Sequence, residues 1–363
     1  MAIREIPLGS VRITDAFWTP RQRLMTDVTI PYMERILRDQ VPGTEKSHAI
    51  GNFRRAAGEE DGAFYGMVFQ DSDAAKWIEA AAYSLANSPD KALEAKCDEL
   101  IDIIAAAQDK DGYLNTYFTV KDREKRWTNL LEAHELYCSG HMIEAACAYY
   151  EATGKRKLLD VMIKNTAHIY ERFVTNGAEG VPGHPEIELA LMKLYRLTGD
   201  EKALELCRHF IDERGRDVTF YSREAEKRDW TVWGCDPWDN DYRQSGKPVR
   251  EQTDATGHAV RAVYLYTGMA DLAAETGDSS LYQSLAVGLR RHVAPDAEDV
   301  LFRAHGRGEF QKGFQPAGGH HDLGPASAEM TRRSQPYSGA GSRDDDHFVF
   351  EVFRFLHFDR NDG

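Results

Sequence analysis

Three histidines recur in one sequence pattern and are the first residues of this chain that could do chemistry. Each follows a glycine and opens an apolar segment that ends in a Thr-Gly pair: Gly140-His141 with Thr153-Gly154, Gly183-His184 with Thr198-Gly199, and Gly257-His258 with Thr276-Gly277. An imidazole donates or accepts hydrogen bonds near neutral pH, and a helix N-terminus favours its neutral form. A single Gly-His pair is typical of a structural histidine, but three matched copies predict one shared pocket lined by His141, His184 and His258.

Polar and aromatic residues elsewhere are further candidates for contacts with a small molecule. Glu186 follows the second histidine by two residues and is either an acid in the pocket or a residue matched to the helix dipole. Gln70 precedes a predicted helix that carries Trp77, and both are predicted to contact the substrate. Asp71 and Asp73 could serve acid–base chemistry or simply cap that helix.

A metal site is not predicted from these residues. His134 and His141 would share one face of a predicted helix, but a spacing of seven residues is too wide for a single ion. The sequence contains no HExxH motif and no CxxC pair. The five cysteines are scattered: Cys97, Cys138, Cys147, Cys207 and Cys235. We therefore expect no bound metal or cofactor in this chain and no disulfide framework.

The repeated pattern predicts helical hairpins, which must stack on one another because one hairpin cannot bury its apolar face alone. If the hairpins close into a ring, the three histidines face one cavity of an α/α barrel. Residues 3–19 alternate apolar and polar side chains and predict a short strand or an extended arm. Periodicity and caps predict helices over 21–38, 73–87, 91–108, 129–153, 156–175, 184–198, 201–213, 254–276 and 279–291.

Two long loops are predicted, over residues 109–128 and 214–250. Long ordered loops on a helical scaffold usually build a site, although these could simply cover the barrel ends. They carry the tryptophans that could stack on sugar rings: Trp127, Trp230, Trp233 and Trp238.

Composition narrows the classes of function. The chain has 363 residues, is 42% hydrophobic and carries a net charge of −14, which argues against a nucleic-acid partner. A net charge of −14 leaves a neutral or cationic small molecule open as the substrate. The sequence has no apolar run of about 18 residues, so no membrane span is predicted. The N-terminus shows no signal peptide, and the scattered cysteines favour a reduced compartment, so a cytoplasmic protein is expected.

The last part of the chain differs in composition from the rest. Residues 286–363 contain no Ile, one Lys and nine Arg, and they hold six of the 13 histidines. Helical periodicity is lost there and Gly and Pro become frequent. Two explanations stay open, a disordered tail and a shift of the reading frame. We accordingly predict a partial barrel domain over residues 1–285 and an atypical tail over residues 286–363.

Several segments resemble glycoside hydrolase family 127, the bacterial β-L-arabinofuranosidases. They are NFRRAAG (52–58), GMVFQDSDAAKWIEAAAYSL (66–85), DKDGYLNTYF (109–118), RWTNLLEAHELYCSGHMIEAACAYYEATGKRKLLDV (126–161), GHPEIELALMKLYRLTGD (183–200) and TGHAVRAVYLYTGMADLAAETGD (256–278). The resemblance runs in order from about residue 5 to residue 285. It implies an all-α, (α/α)6 barrel, here incomplete, and the family's C-terminal β-sandwich domains are expected to be absent.

The resemblance also implies a function and a mechanism. It implies retaining hydrolysis of terminal β-L-arabinofuranosyl residues, with His141, His184 and His258 lining the sugar pocket. In the family a zinc-bound cysteine thiolate is the nucleophile and a glutamate is the acid. The family's Glu-x-Cys and Cys-Cys motifs are not recognisable in this chain. The zinc centre and the catalytic residues are therefore expected to be missing, and the chain is expected to be inactive.

The sequence thus favours a glycoside hydrolase acting on β-L-arabinofuranosides, represented here by its sugar-contacting part. Two other functions stay open: a sugar-binding or scaffold protein without turnover, and a sugar epimerase on the same toroid. The expected partner is a carbohydrate. An incomplete barrel would expose apolar helix faces, so self-association into a homo-oligomer is also expected.

Overall fold

The computed structural model describes residues 6–290, with side chains up to residue 286. Within these residues every regular element is helical. The α-helices are α1 (Trp18–Leu24), α2 (Ile30–Leu37), α3 (Ala49–Ala56), α4 (Asp71–Asn87), α5 (Lys91–Ala107), α6 (Thr116–Val120), α7 (Glu135–Thr153), α8 (Lys157–Tyr170), α9 (Ile187–Thr198), α10 (Glu201–Glu213), α11 (Phe220–Lys227), α12 (Ala259–Thr276) and α13 (Ser279–Arg290). Short π-helical turns at Met25–Thr29 and Glu171–Thr175 extend α1 and α8.

The long helices form two layers. In the inner row α4 packs on α7, α7 on α9, and α9 on α12, whereas in the outer row α5 packs on α8 and α8 on α10. Each inner helix pairs with the outer helix that follows it in the chain. Helix α7 is buried from Glu135 through Tyr149, on every side, because it is covered by neighbours in both layers. This arrangement confirms the predicted all-α toroid of stacked hairpins.

The Thr-Gly pairs end the inner helices α7, α9 and α12. The glycine of each pair, at Gly154, Gly199 and Gly277, has a φ of 71–73° and closes its helix in the left-handed conformation that glycine adopts without strain. The hydroxyl of the preceding threonine donates back to the carbonyl four residues earlier, as Thr153 does to Tyr149. The repeated Thr-Gly pair is therefore a helix C-cap, which explains its recurrence at each hairpin turn.

The N-terminal segment is an arm and not a strand. It holds one 3₁₀ turn at Leu8–Ser10, and its apolar side chains Ile6, Val11, Ile13 and Phe17 are exposed. Three short helices, α3, α6 and α11, were not predicted, and the last two lie inside the segments expected to be loops. The predicted helix over 254–276 begins only at Ala259, and the predicted helix over 129–153 begins only at Glu135.

The late start of α7 has a tertiary cause. The carbonyl of Leu130 accepts a hydrogen bond from the amide of Gly183, and the amides of Leu130 and Leu131 donate to the carboxylate of Glu224. His134 then takes a left-handed conformation with φ 57°. These contacts from distant segments hold residues 129–134 as a turn, although the local sequence favours helix.

The predicted tail of residues 286–363 lies almost entirely outside the described residues, which reach only the end of α13. None of the described helices combines the length and the apolar character that a bilayer crossing requires.

Candidate functional site

The three histidines of the repeat meet at one end of the inner row. His141 lies in the second turn of α7, His184 lies shortly before α9, and His258 is the residue that precedes α12. Tyr137 contacts the first two, with ring centroids 4.4 Å from His141 and 4.7 Å from His184. His184 lies 6.4 Å from His258, and Tyr264 lies 5.9 Å from His184. We call these five rings the histidine cluster.

The glycine before each histidine allows a close approach of backbone or carboxylate. A Cβ at Gly140 would overlap the carboxylate of Glu186, and one at Gly183 would overlap the carbonyl oxygens of Leu130 and Leu131. A Cβ at Gly257 would overlap the carbonyl of Asp241. The two residues of the Gly-His pair therefore have different roles: the glycine lets two segments approach closely, and the histidine contributes its ring to the cluster.

His184 is held as a neutral imidazole. Its Nδ1 lies 2.7 Å from the carbonyl oxygen of Pro185, and because a carbonyl only accepts, Nδ1 must carry the proton. Burial and the nearby charge of Arg261 lower the pKa of His184 well below its usual range. Nε2 of this residue is consequently an acceptor, a fixed partner for a hydroxyl group.

His134 joins the cluster although it is not on α7. Its ring centroid lies 5.6 Å from that of His184 and 5.3 Å from that of Tyr137. Its Nδ1–H donates to the carbonyl of Glu132. The expectation that His134 and His141 share a helix face is wrong, because His134 lies in the turn before the helix.

Two predicted contact residues, Gln70 and Trp77, make other contacts. The side-chain amide of Gln70 donates to Asp73 over 2.6 Å, and its oxygen accepts from the amide of Met67. The indole of Trp77 is buried and donates to the carbonyl of Ile30 on α2 over 3.0 Å. Gln70 follows Phe69, whose ring contacts His134 and Trp233. Trp77 lies on α4 and packs against α2.

Two buried carboxyl groups lie against His141. Its Nδ1 is 3.5 Å from Oε1 of Glu186 and 3.7 Å from Oε2 of Glu144. The ammonium group of Lys193 pairs with the other oxygen of Glu144. Burial, the charge of Glu144 and a hydrogen bond with it raise the pKa of Glu186 well above its usual range. The ligand atoms of His141, Glu144 and Glu186 lie within 4.8 Å of one another, a separation that would suit a metal ion.

A loop carrying Trp233 borders the cluster and is fastened by one carboxylate. Glu132 accepts hydrogen bonds from the hydroxyl of Thr231 and from the amides of Val232 and Cys235. The ring of Trp233 stacks on Phe69 at 6.0 Å and meets His134 edge-on at 5.3 Å. Trp233 is 43% exposed, so part of it remains accessible to a ligand.

The four tryptophans singled out in the loops differ in their surroundings. Trp127 is buried, and Trp230 donates to the hydroxyl of Thr128 and meets Phe118 edge-on. Trp238 is exposed, and Trp233 is the one that contacts rings of the site. Sequence reasoning missed Phe69, Tyr137 and Tyr264, although Tyr137 lies one helical turn before His141, a spacing that places both on one face.

Comparison with known proteins decides the family. Residues 10–288 match the family model of the β-L-arabinofuranosidase GH127 catalytic domain. The chain belongs to glycoside hydrolase family 127. It is 41% identical over 293 residues to a non-reducing end β-L-arabinofuranosidase of Bifidobacterium longum subsp. longum, a match that covers 75% of this chain and 44% of the relative.

Solved GH127 structures share this fold. A GH127 β-L-arabinofuranosidase from Geobacillus stearothermophilus T6 superposes with a TM-score of 0.74 at 49% identity, over 78% of this chain and 45% of that one. A second GH127 β-arabinofuranosidase superposes with a TM-score of 0.68 at 38% identity, over 80% of this chain and 43% of that one. The chain thus spans less than half the length of the GH127 relatives it matches.

The described residues do not fit the zinc–thiolate centre expected of GH127. All five cysteines lie in the described part of the chain, each as a free thiol. Among the described residues, the His141, Glu144 and Glu186 group is the one set with metal-ligand spacing, and it contains no cysteine. No thiolate–zinc step is therefore derived from these residues.

Proposed function

We propose that the histidine cluster binds a terminal β-L-arabinofuranosyl residue, and that this chain supplies the sugar-recognising part of a retaining β-L-arabinofuranosidase. The observation that carries the proposal is the meeting of His141, His184 and His258 in one cluster with Tyr137 and Tyr264. The names of the relatives supply the sugar: two of them are β-L-arabinofuranosidases.

The chemistry of the cluster suits a neutral sugar. A sugar presents hydroxyl donors on its edges and C–H groups on its faces, so it needs oriented acceptors and an aromatic surface. The proton on Nδ1 of His184 makes Nε2 an acceptor for a hydroxyl group. The half-exposed ring of Trp233, held at the border by Glu132, offers the aromatic surface.

Hydrolysis with retention needs a nucleophile and an acid in addition to recognition. Burial raises the pKa of Cys97 to about 12 and the pKa values of Cys138 and Cys207 well above the ordinary thiol range. These thiols stay protonated at neutral pH, and a thiol is a poor nucleophile. We therefore assign sugar binding to the described residues and expect this chain alone to turn substrate over slowly or not at all.

The test is a calorimetric titration of the full chain with methyl β-L-arabinofuranoside. We expect one site per chain, and His184→Ala is expected to weaken binding about tenfold, the value of one buried hydrogen bond. His209→Ala is the matched control, since His209 is half-buried on α10 and contacts Phe210, outside the cluster. The control is expected to leave the affinity unchanged.

Other outcomes separate the competing functions. Binding of methyl α-D-glucopyranoside with equal affinity, or no effect of His184→Ala, would refute the assignment. NMR spectra of L-arabinose incubated with the chain would reveal an epimer if the toroid carries epimerase activity. Release of β-L-arabinose from the glycoside would indicate that the chain also carries the catalytic groups.

A further inference from the structure

One buried guanidinium group joins the second and the third Gly-His pair. Arg261 lies in the first turn of α12, three residues after His258. Its Nη1 donates to the carbonyl oxygen of Gly183, the residue before His184, over 3.0 Å, although Arg261 and Gly183 are 78 positions apart in the sequence. The buried side chain of Arg261 thus reaches from the helix that follows one histidine to the backbone that carries the other.

The ring of Tyr242 packs against one face of the same guanidinium group. The guanidinium carbon of Arg261 lies 4.5 Å from the centroid of this ring. Tyr242 in turn meets the ring of His258 edge-on at 5.3 Å, and its carbonyl accepts a hydrogen bond from the amide of His258 over 3.3 Å. A planar guanidinium can stack on an aromatic face while it donates from its edge, which the ammonium group of a lysine cannot do. The contacts therefore run from Gly183 through Arg261 and Tyr242 to His258.

Arg261 differs from the other buried arginine that bonds to the backbone before α9. Arg214 pairs with the carboxylate of Glu188 over 3.0 Å. Among the residues that the structure describes, no carboxylate lies within ion-pair distance of Arg261. A buried cation without an opposite charge is costly, so the fold alone gains little from this residue. What Arg261 does hold is the relative position of the two segments that carry His184 and His258.

We propose that Arg261 is a positioning residue, which fixes His184 and His258 relative to each other so that both imidazoles contact one bound ligand. The centroids of these two rings lie 6.4 Å apart. Two polar groups held at a fixed separation select a ligand that presents two hydroxyl groups on one edge, because a ligand with a single hydroxyl group leaves one of them without a partner. The sugar as the ligand rests on the proposed function, whereas the link between the two histidines does not.

The first measurement reads this link without any ligand. In the full chain labelled with ¹⁵N-histidine, long-range ¹H–¹⁵N spectra report the surroundings of each imidazole. Arg261→Met keeps a long side chain but removes the donor and the flat charged group, and we expect the ring signals of both His184 and His258 to shift. Tyr242→Leu is a second variant, which keeps Arg261 but removes the ring against which it packs. Among the described residues the ring of Tyr242 meets that of His258 and not that of His184, so a shift of His184 in this variant passes through Arg261.

The matched control is Arg172→Met. Arg172 is half-buried, and its guanidinium carbon lies 5.6 Å from the ring centroid of Trp127, outside the histidine cluster. This variant is expected to shift the signals of His168, whose ring lies 6.1 Å from that of Trp127, and to leave those of His184 and His258 unchanged.

The second measurement is a double-mutant cycle on the affinity for methyl β-L-arabinofuranoside. Arg261→Met and His258→Ala are each expected to weaken binding about tenfold. Independent effects, including a merely structural effect of Arg261, would multiply to about a hundredfold in the double variant, whereas a residue that acts through His258 gives a loss well below this value. Arg261→Lys is expected to behave like Arg261→Met, because it keeps the charge but not the planar fork.

Three outcomes would overturn the proposal. One is an unchanged His184 signal in Tyr242→Leu and in Arg261→Met, of which either variant suffices if the other does not fold. Another is a loss in the double variant that reaches the full product of the two single losses. The third is an Arg261→Lys variant that binds as tightly as the unmodified chain. If the rings shift as expected but no arabinofuranoside binds, the link between the histidines stands and the sugar assignment falls.

Discussion

Two buried carboxyl groups stand two residues apart at the start of α9, and they face different regions of the molecule. Glu188 pairs with Arg214 over 3.0 Å, and both side chains are fully buried. The same guanidinium also donates to the carbonyls of Pro182 and Arg243. Glu186 faces α7, where its neighbours are another carboxyl group and the imidazole of His141.

The difference shows how one helix start can serve structure on one side and a ligand site on the other. On the Glu188 side the buried carboxylate has the guanidinium group of Arg214 as its opposite charge, so the pair locks α9 to the segment after α10. On the Glu186 side two carboxyl groups lie together, and burial and the charge of Glu144 raise the pKa of Glu186.

The largest expected effect comes from breaking the buried ion pair between Glu188 and Arg214. Arg214→Met leaves Glu188 buried without its cation, and we expect the free energy of unfolding to fall by about 3–5 kcal/mol. Arg216→Met is the matched control, because the Arg216–Glu213 pair is largely exposed and is expected to contribute about 1 kcal/mol or less. Urea denaturation of both variants measures the difference. Equal losses would show that the buried Glu188–Arg214 pair contributes no more to stability than the exposed Arg216–Glu213 pair.

The second prediction concerns the effect of Glu186 on the pH dependence of the free energy of unfolding. Because the pKa of Glu186 is raised in the folded state, its contribution to stability is complete below the unfolded pKa and is lost as pH rises toward the folded one. Glu186→Gln cannot ionise, so relative to the unmodified chain it should gain about 1.4 kcal/mol per pH unit above roughly pH 4.5.

The titratable groups that face Glu186 are Glu144, Glu188, Lys193 and His141. Denaturation of the two proteins at several pH values between 5 and 8 measures it. A difference that stays constant with pH would mean that Glu186 is ionised in the folded protein, and the contrast with Glu188 would disappear.

A third prediction tests the close approach of the Glu186 carboxyl group to Gly140 on α7. Gly140→Ala forces the carboxyl group of Glu186 away from α7, and we expect a loss of about 1–3 kcal/mol together with weaker sugar binding. Gly51→Ala is the control, since Gly51 is also helical but its Cβ would meet only the flexible end of Arg55, at 3.1 Å. That variant should be neutral or slightly more stable. Calorimetric melting and sugar titration compare the two.

The smallest effect is expected at Glu132, whose carboxylate is stabilised by hydrogen bonds from backbone amides and not by a cation. Burial acts to raise the pKa of Glu132, but hydrogen bonds led by the amide of Val232 hold it below its usual range. Glu132→Gln should cost about 1–2 kcal/mol, since it weakens hydrogen bonds to a charged acceptor. Exchange of the backbone amide hydrogens of Val232, Trp233 and Cys235 should become faster in the variant, while exchange along α7 should stay unchanged. Uniform loss of protection would contradict a local role.

Much of the fold could be predicted from the sequence. The Thr-Gly pairs and the apolar periodicity located the inner helices, because a helix end and an apolar stripe are local properties. The starts of α7 and α12 were wrong, and the helices α6 and α11 were missed, since distant segments decide them. The three histidines were singled out through their repetition and Glu186 through its place two residues after His184, whereas Glu144 carried no comparable signal.

The sequence by itself determined the helical class, the hairpin repeat and the family, because these depend on short-range pattern and on ordered motifs along the chain. Only the tertiary structure decided which of two nearly adjacent glutamates meets an arginine and which meets a carboxyl group. Glu186 and Glu188 have the same side chain, stand two residues apart and are both fully buried. The raised pKa of Glu186 and the ion pair of Glu188 follow from what the neighbouring segments bring within a few ångströms, and those partners cannot be read from spacing along one chain.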